Sequence, residues 1–202
     1  MKSPKAFGDK AAGALMLQKH YRIIVIALIL LTGLLAFAVN WREPGKEAAR
    51  RLFLKQLVTD FARMYENQNI IVVSKREHLL YYCEKGKIVE NDLWNGFSYS
   101  FPVKVSLAGR YSRTPEGLMY VDRKNDRSRY TLFLGLSLPG AYGIHGASTH
   151  FASFLDQMEK IDPDFTFVTK RDDTRGCVAV ENRVIKYLFT KVALGTPVLI
   201  LP

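Results

Sequence analysis

Short apolar segments separated by turn-forming residues dominate the chain from Ile70 onward. Gly, Pro, Asn, Asp or lysine-rich stretches bound the segments, which read IIVVS, HLLYYC, SYSFPVKVSL, GLMYV and RYTLFLGLSL. Runs of this length, rich in β-branched and aromatic residues, are typical of strands. The pattern predicts one β-rich domain over residues 69–202.

A few helices interrupt this β pattern toward the C-terminus. Residues 151–160 have helical spacing, and residues 165–168 have the character of a strand. Asn182 is expected to cap a helix over residues 183–193, because its side chain can accept a hydrogen bond from the first helical turn. Gly195 ends that helix, and a last strand is expected over residues 196–201. The predicted fold is therefore mostly β with a few helices.

A helical pattern precedes the β-rich domain and follows the turn-forming pair Pro44-Gly45. Apolar residues recur there at every fourth position, namely Phe53, Leu57, Phe61 and Tyr65. This spacing predicts an amphipathic helix. We interpret residues 41–68 as a helical linker or stalk.

An uncharged apolar run, IIVIALILLTGLLAFAV, covers residues 23–39. It is at the short end of what spans a bilayer, about 17–25 residues, and the basic segment before it is long for a signal peptide. We therefore expect a basic cytoplasmic N-terminus over residues 1–22 and a transmembrane signal anchor over residues 23–40. The chain would then cross a membrane once. The alternative is export after cleavage near Ala38, where small residues flank Phe37.

Charge and cysteine content narrow the classes of function. The 202 residues carry a net charge of +10 and only two cysteines. The charge favours an anionic partner such as acidic lipid or an acidic wall polymer. A nucleic-acid partner is not expected, because the chain shows no recognisable nucleic-acid motif. Two cysteines cannot form a disulfide framework or a cysteine-rich zinc site, and no metal is expected.

Cys177 and His145 are the strongest candidates for chemistry. Cys177 follows Arg175 and Gly176, where backbone N–H groups and a positive charge would favour a thiolate. His145 follows Gly143 and Ile144, and a thiol needs such a base to react near neutral pH. Considered alone, the pair is more typical of a buried cysteine and a structural histidine than of a catalytic pair.

The surrounding motifs resemble those of the L,D-transpeptidase (YkuD-type) catalytic domain. That family pairs an I-H-G element with a later S/T-x-G-C-[IV] element, which here correspond to residues 144–146 and 174–178. Further matches follow in family order: RTPEG at residues 113–117, CVAVEN at residues 177–182 and GTPV at residues 195–198. The resemblance covers roughly residues 69–202.

The chain departs from the family pattern in two ways. Cys177 lies 32 positions after His145, a longer separation than in many members, and residues 151–169 fill it with a predicted helix that we expect beside the Cys177 pocket. In addition, Arg175 stands where many members have His, and Ala179 where many have Arg. The second departure leaves open which group binds a substrate carboxylate.

The resemblance implies a mixed β-sandwich fold and a cysteine acyltransferase that acts on peptide stems of peptidoglycan. Cys177 would be the nucleophile that forms a thioester, and His145 the base. Gly176 would contribute to the oxyanion hole, and substrate positioning would fall to Gly146 and to Thr174 with Arg175. No cofactor is implied.

Two alternatives stay open at this point. The same fold would support an amidase or carboxypeptidase, in which water resolves the thioester. A non-catalytic wall-binding module would result if a disulfide joined Cys83 to Cys177.

Overall fold

The computed structural model describes residues 45–94, 96–107, 113–168 and 174–202. The predicted signal anchor, the basic N-terminus and the cleavage position near Ala38 lie outside these residues. Within the described ranges, no helix combines the length and the apolar character needed to cross a membrane.

Within the residues predicted as a helical linker or stalk, the structure has helix α1 (Gly45–Arg63), and the chain divides into two compact units between Leu57 and Val58. In the first unit, the exposed Arg51 pairs with Glu47 at 2.8 Å. Phe53, predicted on the apolar face, is exposed. This detail was wrong because a strict four-residue repeat advances by more than one helical turn at each step, so its members drift around the helix.

The second unit contains eleven strands and two further helices among the described residues. The strands are β1 (Ile70–Ser74), β2 (Leu79–Glu84), β3 (Lys87–Ile88), β4 (Asn91–Trp94), β5 (Gly96–Ser98), β6 (Phe101–Pro102), β7 (Gly117–Asn125), β8 (Phe133–Leu136), β9 (Gly143–His145), β10 (Val178–Ala179) and β11 (Pro197–Leu201). The helices are α2 (Thr149–Ile161) and α3 (Asn182–Lys191).

Nine strands form one mixed sheet in the order β10-β9-β8-β7-β11-β1-β2-β3, with β6 also paired to β2. Two neighbour pairs are parallel, β1 with β11 and β9 with β10. β4 and β5 form a separate hairpin. The predicted mostly β fold with few helices is confirmed.

The central strands β1 and β11 are buried along their whole length. Ile71 and Val73 point into the main core, so the equally buried Ile70 and Val72 face the other side of the sheet. A strand covered on both faces needs apolar residues at nearly every position, which explains why IIVVS is a continuous apolar run.

Helix α3 packs one face on the core through Val184, Ile185 and Leu188, each fully buried. Its start differs from the prediction, because Glu181 is the N-cap residue and Asn182 already lies in the helix. The Asn182 side chain instead accepts hydrogen bonds from other parts of the chain, as described below.

Main-chain contacts attach the segment after α2 to α3. Arg183 donates from Nη1 to the Pro163 carbonyl oxygen at 2.6 Å and from Nη2 to that of Phe165 at 2.5 Å. The buried carboxylate of Glu181 accepts a hydrogen bond from the Val168 N–H. These contacts hold residues 165–168 as irregular chain, and none of the strands that the structure describes pairs with them, so the predicted strand there was wrong.

We predict that Leu188→Ala lowers the free energy of unfolding by about 2–5 kcal/mol, because it leaves a cavity beneath α3. Leu194→Ala is the matched control, since Leu194 is 63% exposed just beyond the same helix. It should change stability by less than about 0.5 kcal/mol. Urea denaturation of both variants measures the difference, and equal losses would contradict the packing of α3 described here.

Candidate active site

Parallel pairing of β9 with β10 brings the two candidate catalytic segments together. Ile144 lies opposite Val178 and His145 opposite Ala179, and the Val180 N–H donates to the His145 carbonyl oxygen at 2.9 Å. Ile144 and Val178 are fully buried in the core. Because side chains alternate along a strand, His145 and Ala179 share the opposite face with Cys177, the residue just before β10.

A single hydrogen bond sets the orientation of the His145 ring. Nδ1 lies 2.7 Å from the carbonyl oxygen of Gly146, and a carbonyl can only accept, so Nδ1 carries the proton. Nε2 is therefore the basic nitrogen. Burial chiefly, with a smaller effect of the charge of Arg129, lowers the pKa of His145 to about 4 against the opposing effect of the Gly146 hydrogen bond. The imidazole is neutral at neutral pH.

Aromatic rings also fix the imidazole. Tyr130 stacks on His145 with ring centroids 3.7 Å apart and planes at 18°. Phe133 lies nearly parallel to His145 at 6.1 Å. These rings exclude water from the histidine and hold its plane, so Tyr130 is a positioning residue that the sequence motifs did not reveal.

Cys177 has a free, partly buried thiol. Its S–H group donates to the carbonyl oxygen of Ala141 at 3.4 Å. Burial raises the pKa of the thiol, and the Gly143 N–H and the charge of Arg129 offset this effect only in part. The sequence predicted a resting thiolate; the environment instead favours a neutral thiol that needs a base to react.

Two threonines hold the Cys177 backbone. Thr174 Oγ1 donates to the Cys177 carbonyl oxygen at 2.7 Å, and Thr114 Oγ1 does so at 3.5 Å. Buried Lys75 in turn fixes the loop of Thr114, because its Nζ donates to the Thr114 carbonyl at 2.9 Å and to Glu116 at 2.7 Å. This arrangement gives the RTPEG motif a structural role close to Cys177.

Gly176 must be glycine for two reasons. Its φ is +98°, and a Cβ added there would lie 2.6 Å from Cε1 of Tyr142. Tyr142 therefore packs over the turn that presents Cys177. The neighbouring Arg175 side chain is exposed at this turn.

Asn182 connects the histidine loop to α3. Its Oδ1 accepts hydrogen bonds from the Ala147 N–H at 2.9 Å and from Thr131 Oγ1 at 3.0 Å. A Cβ at Gly146 would lie 2.7 Å from the same oxygen. Gly146 thus permits a close approach that places its own carbonyl against His145.

The second cysteine is separate from this site. Cys83 lies on β2, is free and buried, and burial raises its pKa to about 12. A Cys83–Cys177 disulfide is therefore contradicted. Among the described residues, no group of three His, Cys, Asp or Glu side chains is placed to hold a metal ion.

Comparison with known families decides the assignment. The family model of the L,D-transpeptidase catalytic domain (YkuD) matches residues 68–200. The chain belongs to the L,D-transpeptidase catalytic domain family. The resemblance inferred from the IHG and TRGCV motifs is confirmed. The chain matches no curated protein.

Solved structures of L,D-transpeptidases share the fold. L,D-transpeptidase 3 from Mycobacterium tuberculosis, in complex with a faropenem-derived adduct, has a TM-score of 0.51 at 13% identity over 66% of this chain and 60% of that one. An L,D-transpeptidase from Mycobacterium tuberculosis H37Rv has a TM-score of 0.50 at 16% identity over 66% of this chain and 57% of that one. The chain thus spans less than two thirds of these relatives.

We predict that alkylation of Cys177 by iodoacetamide continues to accelerate above pH 8.5, the ordinary pKa of a thiol. Burial raises the pKa of Cys177, so its thiolate forms only at higher pH. Peptide mapping after timed alkylation between pH 6 and 10 gives the profile. Cys83 should react far more slowly because it is buried. A plateau below pH 7 would instead indicate a resting thiolate–imidazolium pair.

We also predict that Gly176→Ala destabilises the protein more than Gly195→Ala does, by about 1–3 kcal/mol. Both residues have positive φ, but a Cβ at Gly195 meets nothing within 4 Å, whereas at Gly176 it collides with Tyr142. Thermal unfolding of the two variants isolates the collision from the backbone strain. Equal losses would show that Tyr142 does not pack against this turn.

Proposed function

We propose that this protein is a peptidoglycan L,D-transpeptidase that works through a thioester on Cys177, with His145 as the base. One observation carries the proposal. The β9–β10 pairing puts a neutral histidine of fixed tautomer and a free thiol on the same face of a sheet, in a domain of the L,D-transpeptidase family.

The first half-reaction would form the thioester. His145 Nε2 takes the proton from Cys177 as the sulfur attacks the carbonyl carbon at the L-centre of the third stem residue. The N–H groups of Gly176 and Cys177 would bind the oxyanion, a contribution typically worth about 2.7–4 kcal/mol per donor. The C–N bond then breaks, and the imidazolium returns its proton to the amine of the departing D-alanine.

The second half-reaction reverses these roles. The amine of another stem attacks the thioester and loses a proton to His145. The C–S bond breaks, and the thiolate recovers that proton. A histidine whose pKa is held low forms a strongly acidic imidazolium, which suits protonation of an amine leaving group. A new amide cross-link results, with no net change in the enzyme.

The supporting residues have roles consistent with their contacts. Thr174 positions the Cys177 backbone, and the Gly146 carbonyl maintains the tautomer of His145. Exposed Arg175 would contact the substrate as it approaches the turn.

We further propose that residues 23–40 anchor the protein in the inner membrane, with the catalytic domain on the outer side. The uncharged apolar run supports this location, as does a substrate that lies outside the cytoplasm. Export after cleavage near Ala38 would give the same orientation without the anchor. The basic charge of the chain favours association with anionic wall and lipid groups.

We predict that the full chain in detergent micelles converts a purified disaccharide-tetrapeptide into a cross-linked dimer. An acyl adduct on Cys177 should be visible by intact-mass spectrometry. Cys177→Ala should abolish both signals, and His145→Gln should slow turnover by about 10²- to 10⁴-fold. Cys83→Ala, which replaces the buried cysteine on β2, should retain turnover.

The products separate transpeptidation from its alternative. A tripeptide with no cross-linked dimer would identify a hydrolase on the same fold. Full turnover by Cys177→Ala would falsify covalent catalysis by this residue. Circular dichroism of each variant confirms that loss of activity is not loss of fold.

A further inference from the structure

Arg129 is an exposed arginine in direct contact with the aromatic support of His145. Its guanidinium carbon lies 5.1 Å from the Tyr130 ring centroid, and Nη2 donates to the Tyr130 hydroxyl at 3.1 Å. Tyr130 in turn stacks on the imidazole at 3.7 Å. Tyr130 therefore contacts both the guanidinium and the proposed general base.

The backbone of Arg129 is fixed. Its carbonyl oxygen accepts hydrogen bonds from the Thr149 N–H at 3.1 Å and from Thr149 Oγ1 at 3.3 Å, at the start of α2. Tyr130 also pairs with Ser148 through an isolated β-bridge. These contacts anchor the base of a long side chain beside the site.

The charge of Arg129 reaches both reacting groups. It contributes to lowering the pKa of His145 and partly offsets the burial effect on the pKa of Cys177. Among the described residues, no carboxylate forms an ion pair with it, and its side-chain partner is the neutral Tyr130. An exposed arginine of this kind can still donate two hydrogen bonds to a carboxylate in a bidentate pair.

Strand β10, which follows Cys177, carries no charged side chain of its own. Ala179 shares the face of Cys177 and carries no charge. The exposed Arg175 is a cation at the turn before Cys177, and Arg129 is the cation beside the aromatic support of His145.

We propose that Arg129 binds the terminal carboxylate of the D-alanine that leaves in the first half-reaction. This inference rests on the proposed transpeptidase function. The terminal carboxylate lies one residue beyond the scissile amide, so a cation next to the base that protonates the leaving amine is well placed to hold it. Arg129 would thereby select tetrapeptide donors with a free C-terminus.

The first test compares three donors: the tetrapeptide with free carboxylates, the same donor with a C-terminal amide, and one amidated on the side chain of the third residue. Arg129→Gln should lower kcat/KM for the free donor by roughly 10- to 100-fold and affect the C-terminal amide much less. Arg129→Lys should recover part of the loss because it restores the charge without the bidentate fork.

Arg127→Gln is the matched control, since Arg127 is an exposed arginine in the same turn. It should keep the wild-type preference for the free donor. The proposal is overturned if Arg129→Gln retains that preference. It is also overturned if the dependence on Arg129 disappears only with the side-chain amide, because the carboxylate would then belong to the third residue.

The second test needs no turnover. Cys177 is alkylated with iodoacetate and with iodoacetamide, which differ mainly in charge, and the ratio of the two rates reports the field at the sulfur. Arg129→Gln should lower this ratio by about two- to fivefold, whereas Arg129→Lys and Arg127→Gln should keep it near the wild-type value.

The two tests separate failure of the inference from failure of the function. If the wild-type chain converts no stem peptide, the proposed transpeptidase function fails, and the alkylation ratio still decides whether Arg129 forms an anion site. An unchanged ratio in Arg129→Gln would overturn that site in either case.

Discussion

The backbone pairing of two very short strands is the constraint on which the active site depends. β9 and β10 contain three and two residues, so neither would be stable alone. Their neighbours hold them: β8 pairs with the edge of β9 that faces away from β10, and Lys104 exchanges two hydrogen bonds with Ala179, at 2.8 and 2.9 Å. A slip of one residue would turn His145 into the core and Ile144 out of it.

The same burial that makes the site rigid also determines its chemistry. A desolvated imidazole and a desolvated thiol both favour their neutral forms, so in the proposed mechanism charge appears only as the sulfur attacks. The stack on Tyr130 and the Gly146 carbonyl fix the ring before reaction begins. The site is thus organised for proton transfer and does not store a ready-made thiolate.

The sequence predicted the parts of this design that depend on residue type and left out those that depend on distant contacts. Cys177 and His145 could be recognised from short motifs, and IIVVS from its apolar run. Strands as short as β9 and β10 carry too few residues for a pattern, because their partners define them. Tyr130 has no local signal of its role, which exists only because folding stacks its ring on His145.

Other departures have the same origin. Asn is a residue type that often caps helices. The side chain of Asn182 instead holds the histidine loop, and the helix starts one residue earlier than predicted. Residues 165–168 alternate like a strand, and yet no strand in the described part of the chain pairs with them. Local propensity is a weak guide to secondary structure wherever side chains from distant residues form the hydrogen bonds that hold the backbone.

The attachment of residues 162–168 has an evolutionary consequence. Arg183 and Glu181 form hydrogen bonds with backbone carbonyl and N–H groups of this segment. Such groups are present whatever side chains the segment carries. Mutations at its exposed positions can therefore accumulate without loosening the segment, whereas Val168 is buried and must stay apolar. The exposed positions are free to diverge in surface chemistry by neutral drift as long as Arg183 and Glu181 keep their main-chain contacts.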